Sequence, residues 1–374
     1  MTPYSRQLID EDDIQGVIDA LQSDILTGGK TVEYFESAIA EYSGAEYAVV
    51  VNSGTAALHA AYHALGIGEG DEIITTPLTF AATSNAALYV GAKPVFIDVR
   101  YDGNMNETLI EAVLTDKTRA IVPVDYAGNP ADMDAINTIA KKHGLKVIED
   151  GAHAFGSRLG GRPVGSLADV TTFSFHPVKP LTTLEGGALV TNDPDVAEKA
   201  RLFRSHGMVR KSLWNMDMAD LGYNYRLSDV QCALGLSQMR KLESFIAQRN
   251  RIADFYDAHI PQIPGLYTIR VAKENRSSRH LYPVLLDRSL WCSKEDIFKA
   301  CQDEGLGVQV HYKPVYQHSY YKEHVPTQPL ETAEDFYRAE LSIPCHQMMT
   351  EADAEAVLKK LRVILDRFAR GCGI

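Results

Sequence analysis

Lys179 is the residue of this 374-residue sequence whose surroundings point most directly to chemistry. It lies between two almost uncharged, β-rich runs, VTTFSF at residues 170–175 and GGALVTN at residues 186–192. Pro177 and Pro180 flank the lysine, so a short constrained loop at the ends of two buried strands is predicted. A positioned, desolvated lysine amine forms Schiff bases with carbonyl compounds, pyridoxal phosphate (PLP) foremost. A lone lysine is more often solvated in such a loop, so its interpretation depends on its partners.

A turn with the properties of an anion site is the first partner. Residues 52–56, NSGTA, lie between a predicted buried strand and a predicted helix. Free N–H groups and the positive end of the helix dipole attract a phosphate there, and the hydroxyls of Ser53 and Thr55 add donors. Ser174 can donate to the same phosphate. Ordinary N-capping of the helix is the alternative explanation of this turn.

Three further side chains follow predicted strands. Asp150 ends the strand LKVIED, where a carboxylate can pair with the pyridinium nitrogen of PLP. His153 can hydrogen-bond the phenolic oxygen of that cofactor or the carboxylate, although a satisfied loop histidine explains it equally well. Phe80 follows the strand DEIITTP and can stack on a pyridine ring, with a core position as the alternative.

Composition excludes several other classes of protein. The formal net charge is −12, and no block rich in lysine and arginine appears, which argues against nucleic acid and anionic membranes as partners. No stretch approaches the roughly 18 apolar residues of a membrane span, and the N-terminus lacks an apolar signal region. A cytoplasmic protein is therefore expected.

No metal site is expected either. The five cysteines are scattered, with no CxxC pair, which argues against zinc and against a disulfide framework. His59 and His63 have the i, i+4 spacing of two metal ligands, but the glutamate of the zinc-protease motif is missing. We therefore interpret both histidines as helix-face residues.

Strands and helices alternate in the sequence from Ala45 to Asp193. This pattern predicts an α/β fold, with a mostly parallel sheet covered by helices on both faces and ligands bound beyond the carboxyl ends of the strands. A helical pattern also spans residues 106–114, and an irregular ordered loop is predicted over residues 207–225. One long helix should run from about Leu227 to near Pro261.

The last part of the sequence predicts a smaller α+β domain. Its expected elements are strands at residues 280–286 and 307–312, a helix at 294–305 and a terminal helix from Glu351 to about Phe368. We expect a large domain over residues 1–245 and a small domain over residues 246–374.

The motifs together resemble a known family. NSGTAAL, TPLTFAAT, IEDGAHAFGS, FSFHPVKPLTTLEGGALVTND and GYNYRLSDVQCALG are similar, in this order and spacing, to the DegT/StrS-type sugar aminotransferases. The resemblance covers nearly the whole chain. It implies the fold-type-I architecture of PLP-dependent transferases, with a seven-stranded, mostly parallel sheet in the large domain, and a homodimer with shared active sites.

The same resemblance implies a role for individual residues. It gives the Schiff base with PLP to Lys179, the pyridine nitrogen to Asp150 and ring stacking to Phe80. The cofactor phosphate is contacted by residues of two subunits: Thr55, Ala56 and Ser174 from one, and Asn224 from its neighbour. Members that dehydrate sugars have histidine in place of the lysine, so Lys179 favours amination.

Four stretches narrow the resemblance further. FSFHPVKPLTTLEGGALVTND, LFRSHGM, QVHYKPVYQ and AEDFYRAELSIPCH are similar to family members of pseudaminic acid biosynthesis. Those members use L-glutamate, released as 2-oxoglutarate, to aminate C4 of UDP-2-acetamido-2,6-dideoxy-β-L-arabino-hexos-4-ulose. Alternatives are a C4 aminotransferase for another nucleotide 4-ketosugar of the bacillosamine or perosamine type, a PLP-dependent sugar dehydratase, and a non-catalytic PLP-binding regulator.

Four residues are candidates for contacts with the sugar nucleotide. His311, Tyr312 and Lys313 follow each other in a segment that can form a wall of the sugar-nucleotide site, and Arg226 is a candidate for the diphosphate. Ordinary surface positions explain these residues equally well.

Overall fold

The computed structural model describes residues 2–369, so Cys372 lies outside the described residues. Within this range the strands are β1 (Tyr47–Val51), β2 (Glu72–Thr75), β3 (Lys93–Phe96), β4 (Thr118–Val122), β5 (Lys146–Asp150), β6 (Arg158–Leu159), β7 (Arg162–Pro163), β8 (Val170–Ser174), β9 (Gly187–Thr191), β10 (Met208–Arg210), β11 (Met216–Met218), β12 (Leu266–Thr268), β13 (Tyr282–Leu286) and β14 (Glu340–Ile343). The helices are α1 (Glu11–Leu21), α2 (Lys30–Ser43), α3 (Gly54–Ala64), α4 (Ala82–Tyr89), α5 (Met133–His143), α6 (Pro194–Arg204), α7 (Asp229–Met239), α8 (Leu242–His259), α9 (Lys294–Asp303), α10 (Ser319–His324), α11 (Glu331–Ala339) and α12 (Glu351–Ala369).

A seven-stranded sheet in the order β1-β9-β8-β5-β4-β2-β3 organises the larger part of the chain. Strands β3, β2, β4, β5 and β8 pair in parallel, whereas β9 runs antiparallel to both of its neighbours. These strands are short and mostly apolar because both faces of the sheet are covered. The predicted α/β architecture and its mostly parallel sheet are confirmed.

Alternate residues of these strands enter two different hydrophobic cores. Val50 and Val147 pack with helices α2, α5 and α7 on one face, and Val49 and Ile148 pack with α3, α4 and α6 on the other. The side chains of a strand point alternately to the two faces of a sheet, so one strand serves both cores. The carboxyl edge between these layers is left for a site.

A second, antiparallel sheet of three strands, β12-β13-β14, lies in the last third of the chain. It packs with α9, α12 and the second half of α8 around a separate core. In α8, Ile246 belongs to the large core and Ile252 to the small one. The helix therefore joins the two cores, and the boundary between residues 245 and 246 stays a prediction.

The local predictions were wrong in four places. Residues 307–312 form no strand, because only Gln309 makes an isolated bridge to Ser342. Residues 106–114 form two short 3-10 turns instead of a helix. The predicted long helix is divided into α7 and α8. At the break, Nζ of Lys241 pairs with carboxylate oxygens of Asp10 and Asp13 at 2.6 and 2.8 Å. The predicted loop over 207–225 contains the hairpin of β10 and β11.

Two smaller features bear on the sequence predictions. His59 on α3 lies 3.1 Å from the hydroxyl of Tyr225, and His63 pairs with Asp220 at 2.7 Å, so both histidines have partners other than a metal. Among residues 2–369, no helix is both long and apolar enough to cross a membrane.

Candidate active site

The loop between β8 and β9 carries Lys179, as the sequence predicts. Its base is closed by two main-chain hydrogen bonds, from the Phe175 N–H to the Gly186 carbonyl at 2.8 Å and from the Thr183 N–H to the Phe175 carbonyl at 3.0 Å. Ser5, from the N-terminal segment, donates to the Val178 carbonyl at 2.7 Å. These contacts fix the main chain on both sides of the lysine.

A cavity of 440 Å³ opens at the carboxyl ends of the parallel strands. Eight residues selected from the sequence line it, namely Thr55, Phe80, Asp150, His153, Ser174, Lys179, His311 and Tyr312. Four others lie outside its lining, namely Ala56, Asn224, Arg226 and Lys313. The structure therefore brings together most of the predicted site from segments distant in sequence.

The amine of Lys179 is desolvated at the bottom of this cavity. Burial lowers the pKa of Lys179 to about 8, although the negative charge of Asp150 opposes this shift. Its Nζ lies 3.5 Å from Nε2 of His280. A larger neutral fraction of the amine near neutral pH favours its reaction with a carbonyl carbon.

Asp150 is held at the end of β5 by two hydrogen bonds. The hydroxyl of Thr83 donates to Oδ2 at 2.7 Å, and the N–H of Ala152 donates to Oδ1 at 3.1 Å. Burial raises the pKa of Asp150, while these hydrogen bonds and the charge of Lys179 lower it. A buried carboxylate fixed in this way can accept a hydrogen bond from a cationic ring nitrogen.

The N-terminus of α3 forms another wall. The hydroxyl oxygen of Ser53 accepts the N–H of Ala56 at 3.1 Å, so the predicted phosphate contact of Ala56 requires this N–H to be shared or released. A Cβ on Gly54 would stand 3.0 Å from Cβ of Ser174, so glycine allows the helix to approach β8. Thr55 and Ser174 both line the cavity.

Two aromatic rings also line the cavity. Phe80 is 65% exposed although it lines the cavity, so its ring is available to a ligand. The ring of Tyr312 lies edge-on to it, with centroids 6.4 Å apart. The hydroxyl of Tyr312 lies 3.0 Å from Nε2 of His153. A planar ligand between these groups would have an aromatic face on one side.

Two neutral histidines lie beside Lys179. Burial lowers the pKa of His153 and of His280 well below the usual value, and the charge of Lys179 adds to the effect. Their rings are 4.5 Å apart, and Nδ1 of each is buried without a hydrogen-bond partner among the described residues. Buried polar atoms are normally paired, so these two nitrogens are exceptions among the buried groups of the site.

His280 and Arg249 were missed from the sequence. His280 is the first residue of the predicted strand at residues 280–286, and a histidine at a strand end was the one available signal. Arg249 is completely buried and donates to the carbonyls of Arg279, His280 and Cys345, at 3.2, 3.2 and 2.9 Å. It fixes the main chain that carries His280, and no motif marks it.

Replacing Arg249 by methionine should lower the melting temperature by roughly 5 °C or more. The change leaves these buried carbonyls unpaired, and each unsatisfied polar group costs about 1–3 kcal/mol. Differential scanning fluorimetry measures the shift. Arg251→Met is the matched control, because Arg251 lies exposed on the same helix and donates to Gln248 at 3.1 Å. Equal melting temperatures for the two variants would contradict the anchoring role.

The sequence and the fold of this chain are similar to those of known aminotransferases. The DegT/DnrJ/EryC1/StrS aminotransferase family matches residues 7–362. A curated relative from Campylobacter jejuni, the UDP-4-amino-4,6-dideoxy-N-acetyl-beta-L-altrosamine transaminase, is 50% identical over the full length of both chains. The solved structure of Helicobacter pylori PseC, an aminotransferase of pseudaminic acid biosynthesis, superposes with a TM-score of 0.96 at 38% identity, covering 98% of this chain and 99% of that one.

One further similar structure is in a PLP form. The putative sugar aminotransferase Spr1654 from Streptococcus pneumoniae, in its PLP form, superposes with a TM-score of 0.93 at 29% identity, covering 98% of this chain and 99% of that one. The match over nearly the whole chain, together with these identities, places the chain among the aminotransferases: it belongs to the DegT/DnrJ/EryC1/StrS aminotransferase family.

Proposed function

We propose that this chain is a PLP-dependent transaminase that moves the amino group of L-glutamate to C4 of UDP-2-acetamido-2,6-dideoxy-β-L-arabino-hexos-4-ulose. The observation that carries the chemistry is the desolvated amine of Lys179 in a cavity that also contains the buried carboxylate of Asp150. The substrate rests on the 50% identity to the transaminase from Campylobacter jejuni.

The side chains that line the cavity support the binding of PLP. Asp150 would accept the ring N–H, Phe80 would cover a ring face, and His153, which lines the same cavity, would contact the cofactor. Thr55, at the N-terminus of α3, and Ser174, at the end of β8, would hold the phosphate. PLP supplies an electron sink that stabilises negative charge on the carbon bearing the amine.

Lys179 has two tasks in this proposal. Its Nζ would hold the cofactor. The freed amine would then move one proton in each half of the reaction, off Cα of glutamate in the first and onto C4 of the ketosugar in the second. Asp150 keeps the ring nitrogen protonated, and the hydrogen bonds from Thr83 and Ala152 hold its carboxylate in place.

The function is tested by product analysis. The purified protein, supplied with PLP, L-glutamate and the UDP-linked ketosugar, should give 2-oxoglutarate and a 4-amino sugar, identified by mass spectrometry and NMR. Ketosugars of the bacillosamine and perosamine types are the comparison substrates. Preferred turnover of one of those, by kcat/KM, would overturn the substrate assignment while preserving the transaminase. A dehydrated product without an amine would overturn the reaction class.

Capture of PLP by the cofactor-free protein should accelerate as the pH rises towards about 8. The pKa of Lys179 is depressed, so below this value the unreactive ammonium predominates and the rate should fall about tenfold per pH unit. Above the pKa the rate should level off. Stopped-flow absorbance of bound PLP measures it, and a rise that continues to the ordinary lysine pKa would show that the amine is not desolvated.

Replacing Asp150 by asparagine should slow transamination about 10- to 100-fold. Hydrogen bonds to charged groups are worth about 1.5–3 kcal/mol, and a neutral amide cannot hold the ring proton with the same strength. Single-turnover kinetics with glutamate measure the loss in the first half of the reaction. Asp169→Asn is a suitable control, because Asp169 is partly exposed and pairs with Lys146 at 2.9 Å. Near-normal rates for Asp150→Asn would mean that another group protonates the ring.

A homodimer with shared sites belongs to the same proposal. The tip of the β10–β11 hairpin exposes Leu213 and Trp214, at 87% and 85%, and an exposed apolar surface of this kind is typical of an interface. Asn224 follows this hairpin, is exposed and does not line the cavity of its own chain. It would instead reach the PLP phosphate of the neighbouring subunit. Arg226 and Lys313 remain proposed contacts of the sugar nucleotide.

A further inference from the structure

Two buried polar residues, Glu340 and Ser342, form a chain of hydrogen bonds with His311. Glu340 and Ser342 lie two residues apart on β14, so they face the same side, and both are completely buried. One carboxylate oxygen of Glu340 accepts the main-chain N–H of His311 at 2.7 Å, and the other lies 2.6 Å from the hydroxyl of Ser342. That hydroxyl is also 2.8 Å from Nδ1 of His311.

The donors in this chain follow from its chemistry. A carboxylate only accepts, so the single hydroxyl proton of Ser342 is donated to Glu340. The Ser342 oxygen must then accept from Nδ1 of His311, which therefore carries the imidazole proton. Nε2 of His311 is left with its lone pair, and His311 lines the cavity.

The ionisation of these groups agrees with this arrangement. Burial lowers the pKa of His311 to about 3, with a further contribution from the charge of Lys179, so the imidazole is neutral. Burial raises the pKa of Glu340 to about 7, while the hydrogen bond from Ser342 and the charge of Lys294 lower it. At pH 8 the carboxylate predominates.

We propose that Glu340 and Ser342 are positioning residues that fix His311 as a hydrogen-bond acceptor, through which the cavity recognises a hydroxyl or amide N–H of the ketosugar. This rests on the proposed function, since the proposed sugar offers a 3-hydroxyl and a 2-acetamido N–H. A site built to accept from such a donor discriminates against analogues that lack it, because its buried acceptor is then left unpaired.

Glu340→Gln should change Nε2 of His311 from a hydrogen-bond acceptor to a donor. The glutamine oxygen is retained by the His311 N–H, so its amino group faces Ser342 and donates. The Ser342 hydroxyl then donates to Nδ1, and the imidazole proton moves to Nε2, which becomes a donor facing the donor of the sugar. At pH 8, kcat/KM for the ketosugar should fall about 10- to 100-fold. The glutamate half-reaction, measured in the same preparation, should fall at least about fivefold less.

Substitutions of Ser342 test the same chain of hydrogen bonds without a change of charge. Ser342→Ala removes the acceptor of the Nδ1 proton and should raise KM for the ketosugar about tenfold, whereas Ser342→Thr retains a hydroxyl and should restore most of the affinity. In the wild type, the 3-deoxy and 2-deacetamido analogues of the ketosugar show which donor is read. In the Glu340→Gln variant, the analogue that lacks the recognised donor should have nearly the same kcat/KM as the ketosugar itself.

The tautomer of His311 can be observed directly. Nitrogen-15 NMR of histidine-labelled protein at pH 8, assigned with His311→Gln, should place the proton on Nδ1 in the wild type and on Nε2 in Glu340→Gln. This measurement needs no sugar, so it separates the two proposals. Absence of sugar amination with an Nδ1–H tautomer would overturn the proposed substrate alone. An Nε2–H tautomer in the wild type, or equal sugar kinetics for wild type, Ser342→Ala and Ser342→Thr, would overturn the inference.

Glu340→Gln removes a negative charge near Lys294 and can therefore prevent folding. In that case the two Ser342 variants and the wild-type NMR spectrum still test the inference.

Discussion

Lys179→Ala is expected to lower the rate of amination by roughly 10³-fold or more without unfolding the protein. The variant loses the amine to which both the binding of the cofactor and the transfer of the proton are assigned in the proposed function, and general acid–base catalysis alone contributes about 10²–10⁴-fold. The fold should survive, because the lysine contributes its amine to a cavity and the surrounding loop is held by main-chain hydrogen bonds that alanine retains. Circular dichroism and single-turnover kinetics with glutamate measure the two effects.

Two variants sharpen this experiment. Lys179→Arg retains a positive charge but has a far higher pKa, so it should be as inactive as the alanine variant. Lys93→Ala removes a lysine whose side chain is 64% exposed, 4.0 Å from Glu72, and should behave as the wild type. Substantial amination by Lys179→Ala would remove this residue from the mechanism, whatever the other variants do.

The sheet and the reactive loop were predictable because their signals are local. Short apolar runs separated by helical patterns define buried parallel strands, and the residues at their ends meet at one edge. Asp150 and Lys179 were therefore placed in one cavity from their positions after β5 and β8. The catalytic roles assigned to them stay predictions.

Elements fixed by distant contacts were not predictable in this way. The continuous helical pattern is interrupted at Lys241, whose amine pairs with Asp10 and Asp13, more than 200 positions earlier. The segment of His311 has alternating residues typical of a strand, yet its side-chain and main-chain donors are satisfied by Ser342 and Glu340 instead of by a full ladder. Single-sequence patterns contain no information about such partners.

The same limit applies to the site. The roles of His280 and Arg249 are visible only in the structure. There His280 lies beside the amine of Lys179, and Arg249 on α8 donates to the carbonyl of His280. Asn224 presents the opposite case, because the resemblance implies a role for it that lies outside its own chain. Its exposure beside the apolar hairpin agrees with that role and leads to a specific test.

Mixing two inactive variants should restore about a quarter of the wild-type activity. One variant is Lys179→Ala and the other is Asn224→Asp, whose carboxylate should repel the cofactor phosphate of the neighbouring subunit. Random exchange of equal amounts makes about half of the dimers mixed, and in each of these one site has both wild-type residues while the other has both changes. Activity should therefore rise several hundred-fold above that of the Lys179→Ala parent.

The exchange itself must be followed independently. Native mass spectrometry of differently tagged variants gives the fraction of mixed dimers, and recovered activity should increase in proportion to it. Asn215→Asp, on the same exposed hairpin, serves as a control for a new negative charge on this surface and should remain active alone. Since a site confined to one chain would retain its lesion in every pairing, mixed dimers that form without regaining activity would show that Asn224 does not act across the interface.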